Sequence, residues 1–262
     1  MPAHPSGRRT AIRALAASAA CLALVAAGPG TAQARSAPVR KAPLTLGALA
    51  KKLDAAVVAK GSVRFVHSTV VAGSATNTAI GTAKWVRGFA SLAVAVTSGS
   101  TRLRLISLPS ADYSFDPTGA GRWIRFREGG RGPKAISFTG DLQLLRQRVN
   151  PGRLLPGLSG LVVKQSVAKV VAHVKCSVYT VTMTGTQLFA TQPAVTRPAP
   201  DALVGSTAVV TFYLDSRGLP VEVTEVIRGS FGAYAEITTF TRWGAAATVA
   251  RPTGKIIDDP VA

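Results

Sequence analysis

Residues 62–108 read SVRFVHSTVVAGSATNTAIGTAKWVRGFASLAVAVTSGSTRLRLISL. Apolar and polar side chains alternate through much of this stretch and β-branched residues are abundant in it, the pattern of a pleated sheet with one buried face. Clusters of Gly, Ser, Asn and Thr cut it into four strands, 62–72, 79–87, 89–97 and 101–108, which form an antiparallel meander. The alternation is clearest at Arg102-Leu103-Arg104-Leu105, where arginines face water and leucines face inward; Leu92, Val94 and Val96 make a matching apolar face.

Upstream, Leu46, Leu49, Leu53, Val57 and Val58 recur at helical spacing, so 45–60 is expected to be a helix with Thr45 as N-cap and its end near Gly61. Downstream, 113–116 and 122–127 (RWIRFR) read as a hairpin, and the Gly-rich EGGRGPK, 128–134, as a mobile loop. Residues 141–149 are apolar-periodic and lead into NPGRLLPGLSG, 150–160; Pro151 and Pro156 limit this region to one or two short helices. Strands resume over 168–183. A proline-rich connection, 193–200, then leads to strands 207–215, 219–227 and 233–243, with Asp215-Ser216-Arg217-Gly218 as a hairpin turn. A short strand, 247–250, and a loose tail, 253–262, close the chain. A strand-rich sheet with one helix before it and a helical excursion in its middle buries its apolar face by wrapping the helices. The expected fold is α+β, a single domain over 45–252.

The chain opens with a basic segment ending at Arg13, an apolar run over 14–27, a break at Gly28-Pro29-Gly30 and the small-residue site Ala32-Gln33-Ala34. This is the layout of a secretory signal peptide, 1–34, cleaved after Ala34, with 35–44 as a tether. The run is shorter than the ~20 apolar residues that span a bilayer. Arg8-Arg9 with Arg13 leaves general secretion and twin-arginine export both open. Three units of the net charge of +19 lie in the first 34 residues, so the remainder carries +16 and favours anionic partners. Cys21 is poorly placed for a lipoprotein anchor, because apolar sequence continues beyond it; cleavage would leave Cys176 alone, with no internal disulfide.

Several segments, in order, resemble the LolA-like superfamily and, within it, the actinobacterial lipoprotein carriers of the LppX and LprG type. RWIRFR, 122–127, is similar to their aromatic-then-basic strand, and VNPGRLLPGLSG, 149–160, to their helical insertion, with Asn150 in place of an acid. FYLDSRGLPVEVTEV, 212–226, is similar to their penultimate hairpin, and TTFTRWGAAATVARP, 238–252, to their closing strand and tryptophan-glycine turn. The resemblance implies an open half-barrel of antiparallel strands over a few helices, whose apolar cavity accepts acyl chains of envelope lipids or lipoproteins without catalysis. It also departs from those carriers, whose anchoring cysteine ends the signal peptide, and 184–206 has no counterpart in them.

The residues themselves offer little for catalysis. Beyond 1–34 only His67 and His173 are available for imidazole chemistry. Pro156-Gly157-Leu158-Ser159-Gly160 is not a nucleophile elbow, since glycine follows the serine directly. His173 and Cys176, three apart on a strand, point to opposite faces, and Cys176 reads as a small buried residue. Asp258 and Asp259 read as a solvated end. The expectation is a non-enzymatic monomer with no cofactor, no metal and no nucleic-acid partner, acting on acyl chains and attracted to anionic membrane surfaces. Strand parity nominates Phe65, Val71, Leu92, Val94, Val96, Leu103, Leu105, Val210, Phe212 and Leu214 as the cavity lining. Two other functions fit the same residues: an envelope sensor or regulatory partner with this fold, and a basic wall-polymer-binding protein whose interior is filled by side chains.

Overall fold

The helical stripe of 45–60 forms helix α1 (Leu46–Lys60), which buries Leu46, Leu49, Leu53 and Val57. Thr45 caps it, its side chain accepting from the Ala48 N–H at 3.3 Å, and Gly61 ends it in the left-handed region at φ 72. The computed structural model describes residues 43–71, 73–116, 121–127, 133–155, 157–192, 203–230 and 232–259, over 133–140 by the backbone alone. The expected signal peptide, most of the expected tether, and the connection at 193–200 therefore lie outside the described residues. Residues 42–262 make one compact unit.

Within it, β1 (Ser62–Val71), β2 (Ser74–Val86), β3 (Phe89–Ser98), β4 (Thr101–Leu108), β5 (Ala111–Asp116) and β6 (Arg122–Phe126) form the expected meander. Helix α2 (Pro133–Val149) and a 3-10 turn (Pro151–Arg153) follow, then β7 (Lys164–Val171), β8 (Val174–Thr184) and the short α3 (Gly185–Ala190). The chain ends with β9 (Thr207–Leu214), β10 (Pro220–Gly229), β11 (Gly232–Thr241) and β12 (Ile256–Asp258). The twelve strands of the described residues join one open sheet in the order β12-β6-β5-β4-β3-β2-β1-β11-β10-β9-β8-β7. Its central seam pairs β1 with β11, setting Phe65 opposite Phe240 and His67 opposite Thr238. Neighbours run antiparallel except β12 and β6. The expected α+β open half-barrel is the fold observed.

Helix α2 starts at Pro133, inside the stretch expected to be a loop, because proline suits a first helical turn, where its missing N–H costs no hydrogen bond. The strand expected at 247–250 is absent. Instead Ile256, Ile257 and Asp258 pair with Trp123, Ile124 and Arg125. Asp258, though exposed, receives a two-pronged contact from Arg125 at 2.5 and 2.8 Å, and Asp259 is buried, so this pair is held to the sheet edge rather than forming a loose solvated end.

The 149–160 segment binds α1 tightly. Asn150 Nδ2 and Arg153 Nε both donate to Asp54 Oδ1, at 2.6 and 2.9 Å, and Arg153 Nη1 donates to the Gly88 carbonyl at 2.9 Å. Between them Gly152 touches the helix backbone: a Cβ there would fall 2.5 Å from Asp54 N and 2.6 Å from Ala50 O. The asparagine and glycine of NPG thus serve docking. Gly152→Ala must push the turn off α1 and is expected to cost about 1–3 kcal/mol, read as a lowered urea midpoint with an unchanged slope.

Candidate functional site

Register places inward-facing side chains in continuous rows across the sheet. One row runs Leu103, Val96, Ala79, His67, Thr238, Val223, Phe212 and Tyr179, each opposite the next on the neighbouring strand. The next row includes Leu105, Val94, Gly81, Phe65 and Phe240. Gly81 leaves room for the Phe65 ring, whose Cζ would lie 2.8 Å from any Cβ at that position. Helix α2 packs on this face with Leu142, Leu145 and Val149 in the core, and Leu142 and Leu145 come together with Ala79 at one cavity.

Where α2 passes over Ala79, a cavity of about 280 Å³ remains. Ala79, Val96, Leu103, Leu105, Leu142 and Leu145 give it an aliphatic wall, and His67, Asn77, Asp141 and Arg148 a polar one. The polar wall is tied together through buried charge. Arg148 forms ion pairs with Glu225, at 3.4 Å, and with Glu236, and all three side chains are buried. These two glutamates face each other across β10 and β11, and Tyr234 donates its hydroxyl hydrogen to Glu236. His67 Nδ1 is hydrogen-bonded to Thr238 Oγ1 at 3.0 Å; burial, helped by the Arg148 charge, lowers its pKa from 6.5 to about 3. Burial raises the pKa of Asp141 above the usual carboxylate value while Arg148 opposes the shift.

Two residues earlier on α2, Arg146 reaches the other half of the sheet. It donates to Asp112 Oδ1 at 2.6 Å and to Ser107 Oγ, and its guanidinium lies 4.9 Å from the Phe89 ring centre. Residues two apart on a helix point to nearly opposite sides. The last turns of α2 therefore bridge β4 and β5 to β10 and β11.

Of the nominated lining residues, Val96, Leu103 and Leu105 border this cavity. Phe65, Leu92 and Val94 are buried in the packed core, as are Val210, Phe212 and Leu214. Val71 is 44 % exposed, because it is the last residue of β1, and Leu103 is 38 % exposed at the cavity edge. Parity missed the helical contribution from Asp141, Leu142, Leu145 and Arg148. The signal available was charge on an apolar stripe: Glu225 alternates with the buried Val223 and Ile227, and Arg148 sits three residues after Leu145. Among the described residues no His, Cys, Asp or Glu side chains gather in threes as metal ligands, and no helix is long and apolar enough to cross a membrane.

No family model matches the sequence, and no curated protein does. The structure of LprF from Mycobacterium bovis superposes on it with a TM-score of 0.51 at 11% identity, covering 80% of this chain and 97% of LprF. This chain has the LprF fold. The Mycobacterium tuberculosis lipoprotein LppX gives a TM-score of 0.48 at 13% identity, covering 78% of this chain and 98% of LppX. In the LprF-like sheet of this protein, His67, Glu225 and Glu236 lie buried on the inward face beneath α2, whose Arg148 pairs with both glutamates.

The neutral His67 makes stability pH-dependent. The unfolded chain takes up a proton near pH 6.5 that the folded chain refuses until about pH 3. The contribution of His67 to stability is therefore fully present above pH 6.5 and is lost below it by up to about 1.4 kcal/mol per pH unit. Urea midpoints of wild type and His67→Gln, measured from pH 7.5 downward, should show the wild-type curve falling more steeply between about pH 6 and 4.

Proposed function

We propose that this protein is exported, with its leader removed after Ala34, and that it binds and shields an acyl chain of an envelope lipid or lipoprotein. The observation that carries this reading is the cavity beneath α2, whose aliphatic wall comes from both the sheet and the helix. Its volume of about 280 Å³ lies just below the ~300–1,000 Å³ typical of small-molecule sites, so it suits a single chain or part of one. Each buried methylene contributes about 0.8 kcal/mol, so ten of them offer roughly 8 kcal/mol before the ordering costs of binding. Such affinity needs no reactive group. The ionisable residues beside the cavity support binding over catalysis: His67 is neutral and engaged with Thr238, and Arg148 is held by two carboxylates. The sequence resemblance to LolA-like carriers supplies the ligand class, and the LprF fold supplies a frame for it.

The test is to express the full chain in an exporting bacterial host, purify it without detergent and analyse an organic extract by mass spectrometry. Acyl lipid in amounts comparable to protein is the expected result; a clean extract, with no uptake of a fluorescent fatty-acyl lipid, would sink the reading. Leu105→Trp, which fills the cavity from the sheet side, should reduce that uptake by about tenfold, corresponding to about 1.4 kcal/mol, while the far-ultraviolet circular dichroism stays unchanged.

A further inference from the structure

Strands β7 and β8 form the opposite edge of the sheet from β12, and their hairpin is unlike the rest of the surface. It turns through Ala172 and His173, both at positive φ, and β8 runs past the end of β9, since Ser177 already pairs with Leu214, the last residue of that strand. Every residue of β7 before Val171 is exposed. Three valines stand in water here: Val167 at 88 %, Val170 at 71 % and Val174 at 37 % exposure. Val171 sits opposite Val174 at the tip, and Val167 lies in the bulge between Ser166 and Lys169. Lys164, Lys169 and Lys175 alternate with the valines, all exposed.

Lysines and a bulge are ordinary protection for a sheet edge. Exposed valines work against such protection, so the pattern calls for a partner that takes apolar tips and positive charge together. The sequence supplies the charge complement on a larger scale: it holds no acidic residue between Asp141 and Asp201. Asp215, at the neighbouring turn, is neutralised by Arg217 at 2.8 Å, and Glu222, which interacts electrostatically with Cys176 of β8, is half-buried with its pKa raised by burial. An apolar tip flanked by cations fits the boundary between the headgroups and acyl chains of an anionic bilayer.

We propose that the β7–β8 hairpin is the point at which this protein docks on an anionic lipid bilayer, Val167, Val170 and Val174 entering the headgroup boundary while Lys164, Lys169 and Lys175 pair with lipid phosphates. This surface is separate from the cavity beneath α2 and does not depend on its contents.

The experiment is co-sedimentation of the exported protein with vesicles of phosphatidylglycerol and phosphatidylcholine, and with phosphatidylcholine alone. Wild type should bind the anionic vesicles and lose that binding as salt is raised. Val170→Ser with Val174→Ser, and separately Lys169→Glu with Lys175→Glu, should each weaken it by about tenfold or more. The control, Lys51→Glu with Lys52→Glu on the exposed side of α1, makes the same change in net charge and should bind nearly as wild type does. A polarity-sensitive dye on Val170→Cys should shift to the blue on anionic vesicles only, the native Cys176 being buried. Absence of wild-type binding, equal losses in the control, or no dye shift would each overturn the proposal. So would a vesicle-independent dimer abolished by the hairpin variants, which would assign the edge to a second copy of the chain. None of these readouts measures uptake into the cavity, so each reading can fail without the other.

Discussion

The contact between Arg148 and the two glutamates beneath it sets the geometry of the interior. A guanidinium cannot be buried alone, and a pair of facing carboxylates cannot either; placed together with the Tyr234 hydroxyl, they satisfy one another where water is excluded. Arg146 holds the same helix to Ser107 and Asp112 on the other half of the sheet. A curved sheet gives an apolar helix many nearly equivalent resting positions, since hydrophobic contact is not directional. Two arginines on opposite sides of one helical turn reduce these to one. The cavity is what remains when α2 is held by charge at that height over residues as small as Ala79.

Much of the sheet could be read from the chain because one-sided burial writes a period of two into the sequence. The strands from β1 to β6 followed that pattern, and Leu105 and Val96 faced inward as their parity required. Arg104, read as simply facing water, in fact covers Phe115 with its guanidinium 4.4 Å from the ring centre and Trp123 at 5.3 Å. The outer face at β4–β6 has its own small cluster around Ala111, Tyr113 and Trp123, and parity alone cannot tell a watery face from a second packed one.

What escaped the sequence depended on distant partners. Three residues, Ile256–Asp258, are too short a run to carry a period, and their strand exists because the β6 edge is there to accept them. Likewise, no local pattern says that a helix will supply half of a cavity wall; Leu142, Leu145 and Arg148 become lining residues only once α2 is pinned across the sheet. Glu225 and Glu236 could have been noticed as acids at inward positions, but their meaning required knowing that an arginine arrives from above. The LprF likeness, at 11% identity, makes the same point from outside: the fold persists where almost every side chain differs.

The seam between β1 and β11 has a consequence for how the chain reaches this structure. Strand β1 finds β2 at once, as a local hairpin, but its other edge must wait for residues near the end of the chain, Phe240 and Thr238. Closing such a long loop is slow compared with forming the meander. During synthesis, or during threading from the N-terminus, an early half-sheet of β1–β6 with α1 would stand with an open edge until the last third of the chain arrives. The interval between these events is when the protein is most exposed to misassociation, and it is set by the seam's position in the strand order rather than by the strength of any contact.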